Sequence, residues 1–276
     1  MQVRFAMCNE FCQGWDFESA CGLAAQAGYE GIEVAPFTLA ERVTDIAAGG
    51  RAAIRAAARR HGIEIVGIHW LLVKPQGLYM NHPDADLRRR TADYLHAEID
   101  FCADLGGKVM VAGSPKQRDV LPGDTYEAAW DRTADLFREL APHAERRGVC
   151  LCIEALTTRE TNFICTAAEA RRLVEAVNHP AFQMILDVKA MAGDVEPMAE
   201  IIGKSAPYLR HFHANDENLK GPGFGKTDFR PIAAALDEIG YKGYVSVEVF
   251  DFSDPPEKIA RESLRYLREV FGCLGA

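Results

Sequence analysis

The sequence predicts a (β/α)8 barrel, and three observations predict it. Short β-rich runs alternate strictly with longer helical patterns through all 276 residues, which argues for a parallel sheet with crossover helices. The alternation repeats eight times with no composition break or low-complexity linker, in a length close to the roughly 250 residues of one closed barrel. Strand parity agrees. Where a run ends in an inward acidic side chain, the apolar set of that strand lands against the helical layer. No GxGxxG follows the first run, as an open dinucleotide-binding sheet would require. The expected organisation is one barrel domain over 1–276.

The first strand is read over 2–7, followed by a loop over 8–15 and a helix over 17–26 that Gly28 ends. The second strand is 31–35, and an alanine-rich helix runs to Arg60 before Gly62 stops it. The third strand, 63–69, leads through a long loop (70–84) to a helix near 86–105. There Leu87, Tyr94, Leu95, Phe101, Cys102 and Leu105 form one stripe. The fourth strand is 108–112, and Asp124 with Glu127 stands at capping-box spacing to open a helix to about 147. The fifth strand is 149–154, and Thr166 with Glu169 makes a second capping box. Ala170, Leu173, Val174 and Val177 continue it as an amphipathic helix. The sixth strand is 182–187, with a helix near 195–204. The seventh is 209–213, with a helix carrying Ile232, Ala235, Leu236 and Ile239. The eighth is 244–249, and a helix over 257–271 closes the chain.

Hydrophobic residues are 48% and charged residues 26% of the chain, the balance of a globular protein with a large core. The net charge of -9 disfavours general affinity for nucleic acid. The eight cysteines form no paired CxxC units, so a structural zinc ribbon is not expected. Cys150 and Cys152 alternate in a strand as small core residues. The start of the chain is broken by Arg4, Asn9 and Glu10, so no secretory apolar region is expected. No run approaches the roughly 20 residues of a membrane span, and a cytoplasmic location with reduced thiols is the expectation.

Four strands, the fifth to the eighth, end in Glu154, Asp187, His213 and Glu248. If Glu154 points into the barrel, so do Cys150 and Cys152, while Val149, Leu151 and Ile153 face the helices. If Asp187 points in, Phe182, Met184 and Leu186 face out. If Glu248 points in, Val245, Val247 and Val249 face out. An acidic residue on the outer face would be buried without a partner, at a cost of several kcal/mol (roughly). Strand C-terminal ends are where barrel active sites sit. Three carboxylates and one imidazole there make a divalent-metal site, Mn²⁺ foremost, with Mg²⁺, Co²⁺ or Zn²⁺ as alternatives. A metal bound to a carbonyl oxygen and a neighbouring hydroxyl acidifies the C–H between them. Glu154 and Glu248, on opposite sides, then serve as an acid–base pair through a metal-stabilised ene-diolate, which is isomerase or epimerase chemistry.

These motifs resemble the xylose isomerase-like barrel superfamily, in its sugar phosphate isomerase/epimerase branch. That branch includes ketose 3-epimerases, hydroxypyruvate isomerases and inosose dehydratases. The resemblance covers essentially the whole chain. It is most specific in Cys152-Ile153-Glu154, the run over 161–187, His211-Phe212-His213-Ala214-Asn215-Asp216, the GPGFG run followed by Asp228-Phe229, and Val247-Glu248. It implies Glu154, Asp187, His213 and Glu248 as metal ligands, Glu154 and Glu248 as the acid–base pair, Glu160 as a substrate contact, and a homo-oligomer, dimer or tetramer. Two positions depart from ketose 3-epimerases. A histidine three positions after the metal-binding aspartate is here Ala190, beside Lys189, and an arginine six positions after the metal-binding histidine is here Leu219, beside Lys220. The HFHAND loop is similar to that of relatives acting on modified keto-sugars such as 3-keto-glycosides.

Around the mouth the resemblance adds His69 at the substrate. Lys189 and Asn215, beside the ligands, are expected there too. Trp15 offers an apolar wall for a sugar ring, and Lys116 and Arg118 could grip a hydroxyl-rich or anionic group. Glu33, inward at the end of the second strand, either positions substrate or pairs with a neighbour, and His211 reads as a supporting histidine below His213. The GPGFG run gives a tight turn or, with Lys220 and Lys226, a phosphate site. Three other functions compete with the epimerase. They are a dehydratase or lyase of a keto-polyol of inosose or 3-keto-glycoside type, an endonuclease-like metallohydrolase, and a non-catalytic sugar-binding barrel.

Overall fold

Eight short strands, each bounded by turn residues, hydrogen-bond in chain order and close on themselves in the computed structural model, which describes residues 3–273. The strand start read at Gln2, and the ends of the domain read as 1–276, lie outside the described residues. The units run β1 (Arg4–Cys8), α1 (Phe17–Ala27), β2 (Gly31–Val34), α2 (Ala48–Arg60), β3 (Glu64–Ile68) and α3 (Ala85–Leu105). They continue with β4 (Val109–Ala112), α4 (Tyr126–Arg147), β5 (Cys150–Ile153), α5 (Ala167–Val177) and β6 (Phe182–Asp187). The last are α6 (Val188–Ala192), α7 (Met198–Ser205), β7 (Leu209–Ala214), α8 (Phe229–Glu238), β8 (Tyr244–Val247) and α9 (Pro256–Gly272). Each neighbouring pair is parallel, and β8 closes on β1 with Arg4 opposite Tyr244.

The interior follows the parity of the strands. Cys150, Cys152, Val109, Val111 and Ile185 pack together in one small cluster. Val149, Leu151, Ile153, Phe182, Met184 and Leu186 join the main core against the helices. An irregularity between Met184 and Ile185 sets the register of β6 on β7, so that Asp187 pairs with His213, which in turn pairs with Ser246 of β8. Helix ends fall close to the sequence reading, α2 being capped by His61, one residue before Gly62. Gly28 and Gly106 take left-handed backbone at the ends of α1 and α3, which glycine adopts without strain. Thr166 and Glu169 form the capping box of α5.

Several boundaries differ from the sequence reading, among them β5 and β8, which end at Ile153 and Val247, one and two residues early. Thr125, not Asp124, caps α4, accepting from Ala128 N at 3.2 Å. Asp124 instead pairs with Arg132 further along the helix. The helix read near 195 begins at Met198, because Val195 is 98% exposed and has no core face to bury. Before it comes α6, five residues long and unforeseen, which starts directly from Asp187. Among the described residues no helix is long and apolar enough to cross a membrane.

Candidate metal centre and active site

Glu154 and Glu248 are the first residues past β5 and β8, Asp187 is the last residue of β6, and His213 lies in β7. Parallel neighbours in a barrel present their C-terminal ends together, and here one ligand atom from each of the four lies within 4.8 Å of the others. All four side chains are buried. His213 Nδ1 is 3.0 Å from Glu248 Oε2 and 3.8 Å from Glu154 Oε1. Yet neither His213 Nδ1 nor Glu248 Oε2 has a hydrogen-bond partner among the described residues. Two orphaned polar atoms aimed at one point suit ligands of a shared cation: donors about 2.1 Å from an ion and at right angles lie about 3 Å apart. The oxygen-rich donor set with one imidazole fits Mn²⁺, Mg²⁺, Co²⁺ or Zn²⁺.

Buried neighbours hold His213 and Asp187 in place. Glu33 is wholly buried and reaches His211 Nε2 at 2.8 Å and His213 Nε2 at 3.3 Å. A proton on His213 Nε2 donated to Glu33 leaves Nδ1 as the free lone pair, the carboxylate–histidine arrangement that orients a metal ligand. Burial works to raise the Glu33 carboxyl, but the two imidazoles outweigh it and hold it well below the usual range. Burial works to lower His213, and the charges of Glu248 and Glu33 outweigh it, so His213 is raised well above an ordinary histidine. Asp187 caps α6, accepting from Ala190 N at 2.8 Å, and Asn215 donates to its second oxygen. Burial, with Glu154 and Glu248 nearby, pushes Asp187 up to about 7, against the pull of Lys189. Glu248 shows the opposite balance: burial would raise it, but His213, His69 and Lys189 bring it to about 2. Glu154 packs over Gly113, where an added Cβ would overlap its carboxylate.

The mouth is covered by aromatic rings. Trp70 Nε1 donates to Glu248 Oε1 at 2.8 Å from a backbone at φ 55, the left-handed region. Its ring stacks on Phe250 and leans on Phe37. His69 and Glu10 are hydrogen-bonded at 3.0 Å, and Glu10 also accepts from Val249 N, which ties β3 to the end of β8. Lys189 Nζ donates to Glu160 Oε1 at 2.6 Å and sits 3.8 Å from the Phe250 ring centre. The sequence reading named His69, Glu160 and Lys189, and they gather at this mouth. It missed Glu10, Trp70, Phe250 and Phe37; the only local signal was Trp70 following His69 at a strand end.

Other expectations change. Asn215 is fully buried and both ends of its amide are engaged, one by Asp187 and the other by Lys189 N at 2.8 Å, so in this structure it holds Asp187 in place. Arg118 is 1% exposed and donates to the backbone carbonyls of Glu154 and Ala112, so it ties the ends of β4 and β5 together and does not reach into the mouth. Burial lowers its guanidinium to about 10. Lys116 is exposed on its loop, and Trp15 packs half-buried against the main core. The GPGFG run is anchored by Asp216, which accepts from Gly225 N at 3.0 Å and Thr227 Oγ1 at 2.9 Å. A side chain at Gly225 would overlap that carboxylate, so turn geometry accounts for this glycine. Lys220 is held by Asp254 at 2.8 Å, and Leu219 is exposed.

Comparison with known proteins agrees with this architecture. The family model described as "Xylose isomerase-like TIM barrel" matches residues 21–270. The fructoselysine 3-epimerase of Shigella flexneri is 27% identical over 255 residues, covering 90% of each chain. The D-psicose 3-epimerase of Ruminiclostridium cellulolyticum is 28% identical over 248 residues, covering 86% of this chain and 80% of the relative. A solved structure of D-psicose 3-epimerase with D-tagatose from Clostridium cellulolyticum H10 superposes with a TM-score of 0.87 at 22% identity, over 98% of this chain and 99% of that one. With its closed eight-stranded barrel and this extent of match, the chain belongs to the xylose isomerase-like TIM barrel family.

Proposed function

We propose that this protein is a divalent-metal-dependent epimerase of a keto-sugar or keto-sugar derivative, with Glu154, Asp187, His213 and Glu248 as the metal ligands and Glu154 and Glu248 as the acid–base pair. The similarity to the fructoselysine and D-psicose 3-epimerases supports an enzyme of the sugar isomerase and epimerase type. The metal-dependent mechanism is carried by the meeting of four buried strand-end side chains within 4.8 Å, two of their polar atoms lacking any other partner among the described residues. When bound there, the cation supplies Lewis-acid polarisation of a carbonyl and its neighbouring hydroxyl, with Mn²⁺ the first candidate. Glu248, kept ionised beside His213, takes the proton from the carbinol carbon on one face. Glu154, on the far side of His213 along the rim, returns a proton to the other face. In the reverse direction the two exchange roles. Trp70 fixes the second oxygen of Glu248, and the stack of Trp70 on Phe250 keeps water from the reacting carbon. Lys189, paired with Glu160 over Phe250, offers a cation to substrate hydroxyls.

The protein is expected to work as a homo-oligomer, dimer or tetramer, in a reducing cytoplasm. All eight cysteines are free, which supports the second point. The deciding experiment incubates the Mn²⁺-loaded protein in D₂O with a panel of ketoses, fructosamines, inososes and 3-keto-glycosides. Epimerisation with deuterium gained at the carbinol carbon is expected, and Glu248→Gln should lose about 10²–10⁴ of that rate. Loss of water with formation of a dicarbonyl product would instead make the enzyme a dehydratase.

A further inference from the structure

A well-formed cavity lies at the end of the barrel opposite the candidate metal centre. It measures about 650 Å³ and opens on the N-terminal ends of the strands, lined by Arg4, Arg55, Arg59, Lys108, Arg210 and Lys242. A volume of that order is normal for a small-molecule site. The one acidic side chain in its wall, Glu64, is already engaged by Arg4 at 3.0 Å and by Tyr244 Oη at 2.8 Å. Among the described residues no ion pair, side-chain hydrogen bond or ring contact is recorded for Arg59, Lys108, Arg210 or Lys242. This gathering of cations stands in a chain whose net charge is -9.

Cations on the last turn of a helix are ordinary, because that end carries partial negative charge. That accounts for Arg59 on α2. It does not account for Arg4 and Arg210, which are on strands, nor for the convergence of six cations on one space. Charges facing a cavity of this size lie within about one Debye length of each other at physiological salt, so they act on a common guest. Forked guanidinium groups match phosphoryl oxygens two at a time.

We propose that this basal cavity is a second binding site, for a small polyanion carrying two or more phosphoryl groups. The site is separate from the reaction centre, and its test needs no knowledge of the sugar substrate. Isothermal titration of the intact protein with inorganic pyrophosphate and tripolyphosphate should show one saturable site per chain, tighter for tripolyphosphate and weakened by added salt. Inorganic phosphate should bind more weakly than either. The double reversal Arg59→Glu with Lys242→Glu should weaken pyrophosphate at least about tenfold, with the melting curve checked to confirm folding. Arg146→Glu removes a cation with no ion pair among the described residues from the last turn of α4, outside the cavity, and should leave binding unchanged. Equal weakening by Arg146→Glu would reduce the effect to diffuse surface charge and overturn the proposal. Absence of saturable pyrophosphate binding at low salt would overturn it too. So would a wild-type oligomer that the double reversal dissociates, since the cavity would then receive a second copy of the chain.

Discussion

Glu33 is fully buried, pairs with His211 and His213, touches the Cys8 thiol and lies 3.9 Å from His69 Nδ1, so its influence on the proposed metal centre passes chiefly through His213. Glu33→Gln keeps the shape but removes the charge that favours a proton on His213 Nε2 and so frees Nδ1. Loss of such a supporting carboxylate commonly costs about 10–100-fold in metal affinity. That fall is the expected outcome in a chelator-competition titration with Mn²⁺, and an unchanged affinity would mean that His213 is oriented by its backbone alone. Glu98 poses a different problem at the same scale. It is wholly buried on α3, and neither carboxylate oxygen has a hydrogen-bond partner among the described residues. Burial alone pushes its pKa well above the ordinary range. The folded state therefore binds a proton that the unfolded state releases near pH 4.3, so this residue costs no ionisation energy below that pH and its cost grows as pH rises toward the folded-state pKa. Glu98→Met replaces the unsatisfied group by an apolar one of similar size. It should add about 1–3 kcal/mol at neutral pH, with a gain that shrinks as denaturation is repeated toward pH 4. A gain independent of pH would point to packing in place of ionisation.

The strand-end loops place the carboxylates, and the link between β4 and α4 shows how closely. A Cβ at Gly113 would overlap the Glu154 carboxylate, and the backbone there is not left-handed, so alanine meets a steric obstacle and no torsional one. Gly113→Ala should displace Glu154, lowering metal affinity at least about tenfold while the chelator-treated protein melts within a few degrees of wild type. Unchanged metal binding would show that Glu154 has room to turn elsewhere. Loops of this kind also mark where sequence reading stops. Glu154, Asp187, His213 and Glu248 were legible because each closes a short apolar run with inward parity, and chain order around a barrel makes their strands neighbours. Cys150 and Cys152 followed from the same parity. The partner of Glu33 was not legible: His211 is 178 positions away and meets it across the barrel interior. Trp70 reaches Glu248 only because residue 70 adopts φ 55, which nothing local in the sequence signals. The five residues of α6 are too few to show a helical period, although they hold Asp187 in place. Asn215, expected at the substrate, has its amide engaged by Asp187 and by Lys189 N, contacts that no local pattern signals.

At the scale of the whole barrel the four proposed ligands come from consecutive units, β5 to β8, so a cation bound to them would join half of the rim. Without that cation the centre gathers three carboxylates in a buried space, and Asp187 rises to about 7 through burial and its acidic neighbours. Anything that binds the folded chain alone stabilises it by mass action, about 2.7 kcal/mol when the free ion is a hundredfold above its dissociation constant. For a domain of this size that is roughly 5–10 °C in melting temperature. Treatment with a chelator should lower the melting temperature by that amount, and Mn²⁺ should restore it. The pH dependence follows from the raised carboxyl. In the metal-free protein Asp187 holds its proton in the folded state from the unfolded value near 3.9 up to about 7. The metal-free protein thus loses stability as pH rises across that window, because the unfolded chain has already released the proton. The cation needs the ionised carboxylate, so its stabilisation should be full above pH 7 and fade toward pH 4. Calorimetry of loaded and chelated protein at pH 5, 6, 7 and 8 would display this as a widening gap between two melting temperatures. A gap that stayed constant over the series would mean that the cation is not taken up at the centre containing Asp187, and the four-ligand assignment would have to be abandoned.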